Sequence, residues 1–201
     1  MTAELPRVFL VRHGQTAWTL TGQHTGRTDL PLTESGEGEA RQLATRLAAL
    51  AVERVRSSPS QRARRTAELA LPHARVDVDD DLMEWDYGAY EGRRTVDIRA
   101  ERPGWRLFED GCPGGELLDD VAARADRVID RLRAEGGTVL LFSHRDLLRI
   151  LAVRWIGLGP LAARRLQLQT ASSSVLGYDH DLTEPVIHAW NCAGTVGGER
   201  R

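Results

Sequence analysis

The sequence predicts an α/β protein: a three-layer α/β/α sandwich around a mostly parallel central sheet, with a small cap insertion. Three observations carry that expectation. Short apolar runs alternate along the chain with helix-period segments, the order that builds a parallel sheet with helices on both faces. Two of the runs, Val8 to Val11 and Thr138 to Phe142, are continuous rather than alternating, as strands covered on both faces must be. The 201 residues are 41% hydrophobic and 28% charged, a balance that suits one ordinary buried core.

Taken in order, Arg7 to Val11 reads as the first buried strand, and the polar loop GQHTGRTDLPL follows it. Thr33 has the chemistry of an N-cap, with Glu34 in the first turn, so a helix is expected from there to about Leu50. Glu53 to Ser57 is a short second strand. Ser58-Pro59-Ser60 turns it into a helix over QRARRTAELAL, and RVDVD near residue 77 is a weak third strand. Residues 84–116 lack either period and gather Gly, Pro, Trp and Tyr. They read as a cap over about 85–115, facing substrate rather than the core. Glu116 to Glu135 is amphipathic, with Leu117, Val121, Ala125, Val128, Ile129 and Leu132 on one face. Gly136-Gly137 ends it. TVLLFSH is a second buried strand ending at His144, and RDLLRILAVRWIGL is the next helix. SSSVLGYD and PVIHAW alternate, as half-buried strands do, and a tail rich in Gly and Arg covers about 192–201. No repeat interrupts the chain, so one domain is expected over 1–201.

Composition narrows the function. A net charge of −2 argues against a broad nucleic-acid footprint. No apolar run has the length of a membrane span. All 27 basic residues are arginine, which excludes lysine Schiff-base chemistry. Cys112 and Cys192 form neither a CxxC pair nor a framework, and no leader pattern precedes the first strand. A cytoplasmic protein with reduced thiols is expected. His73, His180 and His188 have no ligand spacing, so neither a metal nor another cofactor is expected. Trp155, Ile156 and Leu158 suit either the core or a homodimer face.

In open α/β sheets ligands sit beyond the carboxyl ends of strands. Two strands here run into histidine, at Arg12-His13 and Ser143-His144, and a third ends just ahead of Arg62. A single strand-end histidine is more often a structural group than a catalyst. Two histidines, two arginines and the carboxylate of Glu84 are together suited to phosphoryl transfer. Guanidinium forks bind phosphate oxygens in pairs, and an imidazole can attack phosphorus.

RHGQT at Arg12 to Thr16, Thr25-Gly26, the Asp29-x-Pro-Leu-Thr run, SSPSQRARRTAE, EWDYGAYEG and LLFSH occur in the order found in the histidine phosphatase superfamily. The sequence resembles the branch that contains phosphoglycerate mutase and small phosphatases. The resemblance implies His13 as nucleophile and Arg12 and Arg62 as phosphoryl-binding cations. It makes His144 a hydrogen-bond donor to the phosphoryl group and Glu84 the proton donor and acceptor. Trp85, Tyr87 and Tyr90 would supply an apolar wall that raises the pKa of Glu84. Gln23, Thr25, Gly26 and Tyr87 would meet substrate, whereas His24 and Arg27 fit a surface role equally well. The partner implied is a small phosphorylated metabolite such as a sugar phosphate. Arg145 stands where members usually carry Gly, and Thr19 where mutases carry Asn. The segment between Glu84 and Glu116 is short for a mutase lid. Thr19 and the short segment favour a phosphatase over a mutase, while Arg145 either adds a substrate contact or, in the second alternative, spoils turnover and leaves a non-catalytic binder of phosphorylated ligands.

Overall fold

The computed structural model describes residues 5–193, so the expected tail lies outside the described residues apart from Cys192 and Ala193. Six strands form one sheet: β1 (Arg7–Arg12), β2 (Arg54–Ser57), β3 (Val76–Val78), β4 (Thr138–Ser143), β5 (Ser173–Tyr178) and β6 (Pro185–Cys192). Their order is β3-β2-β4-β1-β5-β6. The helices are α1 (Ala17–Thr21), α2 (Glu34–Leu47), α3 (Gln61–Ala70), α4 (Thr95–Glu101), α5 (Leu107–Asp110), α6 (Leu118–Glu135) and α7 (Arg145–Trp155).

The pleat of β1 sorts its side chains into two cores. Val8 and Leu10 face a cluster with Val128, Leu132, Leu148 and Leu151 from α6 and α7. Phe9 and Val11 face one with Leu43, Leu47 and Ala67 from α2 and α3. Helices on both faces make the three layers, and they explain why β1 and β4 are apolar without alternation.

The sheet is mixed. β4 pairs with β1 and β2, and β2 with β3, in parallel. β5 pairs with β1 and β6 antiparallel. The reason lies in the link from α7 to β5. α7 carries the chain away from the carboxyl edge, and residues 156–172 bring it back there. The Ala171 amide donates to the carbonyls of Arg12 and His13, so β5 enters from that edge.

Thr33 caps α2, its hydroxyl accepting from the Gly36 amide, and Gly136 ends α6 at φ 64. The structure adds α1, capped by Thr16 through a reciprocal box with Thr19 and closed by Gly22 at φ 77.

Two expectations need correction. Neither β5 nor β6 alternates: every residue from Ser173 to Tyr178 is buried, because β5 lies within the sheet with both faces covered, and the edge strand β6 is half-buried along its length except at His188. Residues 85–115 are not separate from the core either. Trp85, Tyr87, Ile98, Trp105, Leu107 and Phe108 are buried in the α6–α7 cluster. Trp85 meets Phe108 edge-on at 5.4 Å between ring centroids, and Tyr90 meets Trp105 at 5.3 Å. Only short helices and irregular segments carry these side chains, so no period in the sequence advertises their burial. Trp155 is likewise a core residue, its indole N–H donating to the Gly177 carbonyl, while Leu158 is exposed.

Candidate active site

Strand register builds the centre of the site. β1 and β4 run parallel with Arg12 opposite Ser143. The next residue on each strand is histidine, and the rings of His13 and His144 lie 5.1 Å apart at 61°. β2 lies beside β4 with Ser57 opposite Phe142, which brings Ser58 alongside. Its hydroxyl is 2.8 Å from Nε2 of His144.

Hydrogen bonds fix the tautomers. His13 Nδ1 is 2.8 Å from the Gly14 carbonyl, which can only accept, so Nδ1 carries the proton and Nε2 has a free lone pair. Burial, then Arg62 and Arg12, hold the His13 pKa well below the usual imidazole value. At His144 the Arg62 Nε–H donates to Nδ1 at 3.2 Å, so the neutral ring bears its proton on Nε2, toward Ser58. Burial, followed by Arg62, also holds His144 well below its usual value. Gly14 is required where it stands, because a Cβ there would come within 2.4 Å of the Gly36 carbonyl oxygen. That contact seats the first turn of α2 against the loop that carries His13.

The two arginines differ. Arg12 donates through Nη1 to the Leu168 carbonyl at 2.6 Å, but its buried Nε has no partner. A buried donor without an acceptor is costly, and an anion would satisfy it. Burial, with the nearby Arg145 cation, lowers the Arg12 pKa to about 10. Arg62 lies in the first turn of α3, whose leading amide, Gln61 N–H, donates to Asp29. Its guanidinium donates to the carbonyls of Thr28, Thr25 and Gly26 and to His144. Arg62 thus ties the polar loop to the second histidine.

Glu84 is buried and held by three amides. Oε1 accepts from Trp85 and Leu147 N–H, and Oε2 from Asp146 N–H. The last two belong to the first turn of α7, so Glu84 caps that helix from outside. Burial, then the neighbouring Asp146 carboxylate, raises the Glu84 pKa, while the three amides oppose them. Tyr87 donates to Asp146 at 2.7 Å, and Arg149 and Arg145 pair with the same carboxylate at 2.6 and 3.2 Å.

A cavity of about 400 Å³ opens on this centre. Arg12, His13, Gln23, Thr25, Glu84, Tyr87 and Arg145 are among its lining residues. Arg62 and His144 are packed behind His13 rather than lining it. Gly26 is not on the wall either. Its amide donates to Glu91 at 2.8 Å, and a Cβ there would meet the Trp85 carbonyl oxygen at 2.3 Å. The Gln23 amide is engaged by the Gly92 carbonyl and the Thr21 hydroxyl. The Thr25 hydroxyl has only a 3.4 Å contact to the Gln23 carbonyl. His24 is a buried wall residue between the rings of Tyr87 and Trp105, whereas Arg27 is exposed and pairs with Asp86.

Sequence reasoning misses the supports. Arg124 pairs with Glu116 at 2.7 Å and donates to the carbonyls of Asp81, Met83 and Glu84. It holds the backbone that presents Glu84. Glu91 gathers the amides of Gly26, Arg27 and Thr28. Nothing local marks either residue, since the backbone groups that they hold lie 40 to 65 residues away.

Fold and site define an α/β protein whose sheet edge joins a free imidazole nitrogen to guanidinium donors and a buried carboxyl. The chain belongs to the histidine phosphatase superfamily, branch 1, whose family model matches residues 8–193. Sedoheptulose 1,7-bisphosphatase of Saccharomyces cerevisiae is 36% identical over 93% of this chain and 80% of its own. Acid phosphatase of Mycobacterium tuberculosis is 36% identical over 90% and 91%. The solved structure of an open-reading-frame product of Mycobacterium tuberculosis superposes with a TM-score of 0.86. It shares 34% identity, over 92% of this chain and 97% of that one.

Proposed function

We propose that the protein is a phosphomonoesterase that hydrolyses a small phosphorylated metabolite through a covalent phosphohistidine at His13. The observation that carries this reading is the free Nε2 of His13 on the wall of a cavity shared with Arg12 and Glu84. The relatives named as a bisphosphatase and an acid phosphatase support the same chemistry.

In the first half-reaction His13 Nε2 attacks phosphorus in line. The P–N bond forms as the ester P–O bond breaks, and the leaving oxygen takes a proton from Glu84. Oε1 of Glu84 already accepts two hydrogen bonds, so the proton belongs on Oε2, which accepts one. In the second half-reaction water gives a proton to Glu84 and attacks phosphorus. The P–N bond breaks and inorganic phosphate leaves. Arg12 Nε supplies a donor to the phosphoryl oxygens. Arg62 and His144 support the site from behind the wall: Arg62 helps to keep the His13 ring unprotonated and donates to His144. Every step uses protein side chains.

The described residues contain no helix long and apolar enough to cross a membrane. The unpaired thiols of Cys112 and Cys192 fit a cytoplasmic setting.

Rapid quenching after mixing with a ³²P-labelled substrate tests the reading. Wild type is expected to retain an acid-labile, base-stable label that His13→Ala lacks. Equal labelling of both proteins would refute the phosphohistidine.

A further inference from the structure

Beside the His13 cavity lies a second one of about 480 Å³, and the two share His24, Thr95 and Arg145. Six arginines line the second cavity. Arg99 comes from α4, Arg106 from the residue before α5, Arg145 and Arg149 from α7, and Arg164 and Arg165 from the 3-10 turn at Pro160–Arg165. Among the described residues Glu109 is the one carboxylate on its wall. It pairs with Arg164 and stands 4.0 Å from Arg106. Arg145 and Arg149 share the buried Asp146 behind the wall. Arg99 and Arg165 make no ion pair among the described residues, and Arg99 spends its Nε on the Trp105 carbonyl.

Like charges gathered in a concavity repel one another, and a concave wall concentrates the potential. Cations from four separate segments converge on this space, facing one acidic side chain. The guanidinium of Arg149 is further held over the Phe108 ring at 5.0 Å. An anion would offset the repulsion, and it would lie next to the phosphoryl group, because Arg145 borders both cavities. We propose that this second cavity binds another anionic group of the same substrate. The ester cleaved at His13 then belongs to a molecule that also carries a second phosphate or a carboxylate. This inference rests on the reading of the His13 cavity as the phosphoryl site.

The test compares kcat/KM for fructose 1,6-bisphosphate, 3-phosphoglycerate, fructose 6-phosphate and p-nitrophenyl phosphate. Wild type is compared with an Arg99→Ala/Arg165→Ala variant, and both residues are exposed. Wild type should prefer the bisphosphate or the phosphocarboxylate over fructose 6-phosphate by about tenfold or more. Whichever of the two is preferred identifies the anion. The variant should lose that preference while hydrolysing p-nitrophenyl phosphate as well as wild type does. Equal values for all substrates in wild type, or a preference that survives in the variant, would overturn the inference. Calorimetric titration of His13→Ala separates binding from turnover. Tighter binding of the favoured bisphosphate or phosphocarboxylate than of fructose 6-phosphate supports the second site even where hydrolysis fails, and equal binding sinks it.

Discussion

At the residue scale the site depends on two groups whose proton affinities move in opposite directions. His13 is held well below the imidazole range, so its nucleophilic nitrogen stays unprotonated as pH falls through 6.5. Glu84 is raised, so its acid form survives to higher pH than an ordinary carboxyl. The sign follows: kcat/KM should hold or rise on going from neutral to mildly acidic pH, and the alkaline limb should follow Glu84. A pH profile with half of the activity lost near 6.5 on the acid side would mean that His13 is an ordinary imidazole. Glu84→Gln keeps the shape of the side chain but removes the titration. It should cost about 10²–10⁴-fold with an alkyl phosphate, and much less with p-nitrophenyl phosphate, whose leaving group needs no proton. Equal losses on both substrates would remove Glu84 from the proton-transfer role. The residues that hold these groups are legible to different degrees. RHGQT names His13, but only the 2.8 Å contact to Gly14 says which nitrogen is bare.

At the element scale the parallel register of β1, β2 and β4 brings His13, His144 and Ser58 together, and the first turn of α7 orients Glu84. Arg124 couples α6 to that arrangement. Its removal would leave the Glu116 carboxylate without its cation and the carbonyls of Met83 and Asp81 without a donor. Breaking a largely buried pair from one side costs roughly 3–5 kcal/mol. Arg124→Ala should therefore lower the unfolding free energy, read from a denaturant titration, by an amount in that range. It should also lower kcat more than it raises KM, since Glu84 loses its backbone support. A change within about 0.5 kcal/mol, the range of ordinary surface substitutions, would show that the pair is dispensable. The helices themselves are easy to read, because Thr33, Gly136 and the 3.6-residue period are local signals. The aromatic packing of 85–115 is not. Its side chains project from irregular segments and short helices, where burial leaves no period to read.

At the scale of the whole molecule, the sheet is the shared wall of two cores: α6, α7 and the 85–115 segment pack on one face, and α2 and α3 on the other. We propose that they unfold as one unit. A calorimetric scan should give one transition with equal calorimetric and van't Hoff enthalpies. Vanadate adopts the five-coordinate geometry of a phosphoryl group in transfer and should bind the folded state alone. At a hundredfold excess over Kd this adds about 2.7 kcal/mol, or roughly 5–10 °C in Tm for a chain of this size. His13→Ala should show a smaller shift. An equal shift in both proteins would place the oxyanion somewhere other than on His13.

The sequence by itself determined the α/β class, the six strands, the principal helices and the set of residues suited to phosphoryl chemistry. These depend on hydrophobic period, caps and short motifs, all of which act within a few residues. Only the tertiary structure decided the antiparallel entry of β5, the burial of the 85–115 aromatics and the commitment of the Gly26 amide to Glu91. It alone converged six arginines from four segments on one cavity. Those features arise from contacts between residues far apart in the chain, which local periodicity does not encode.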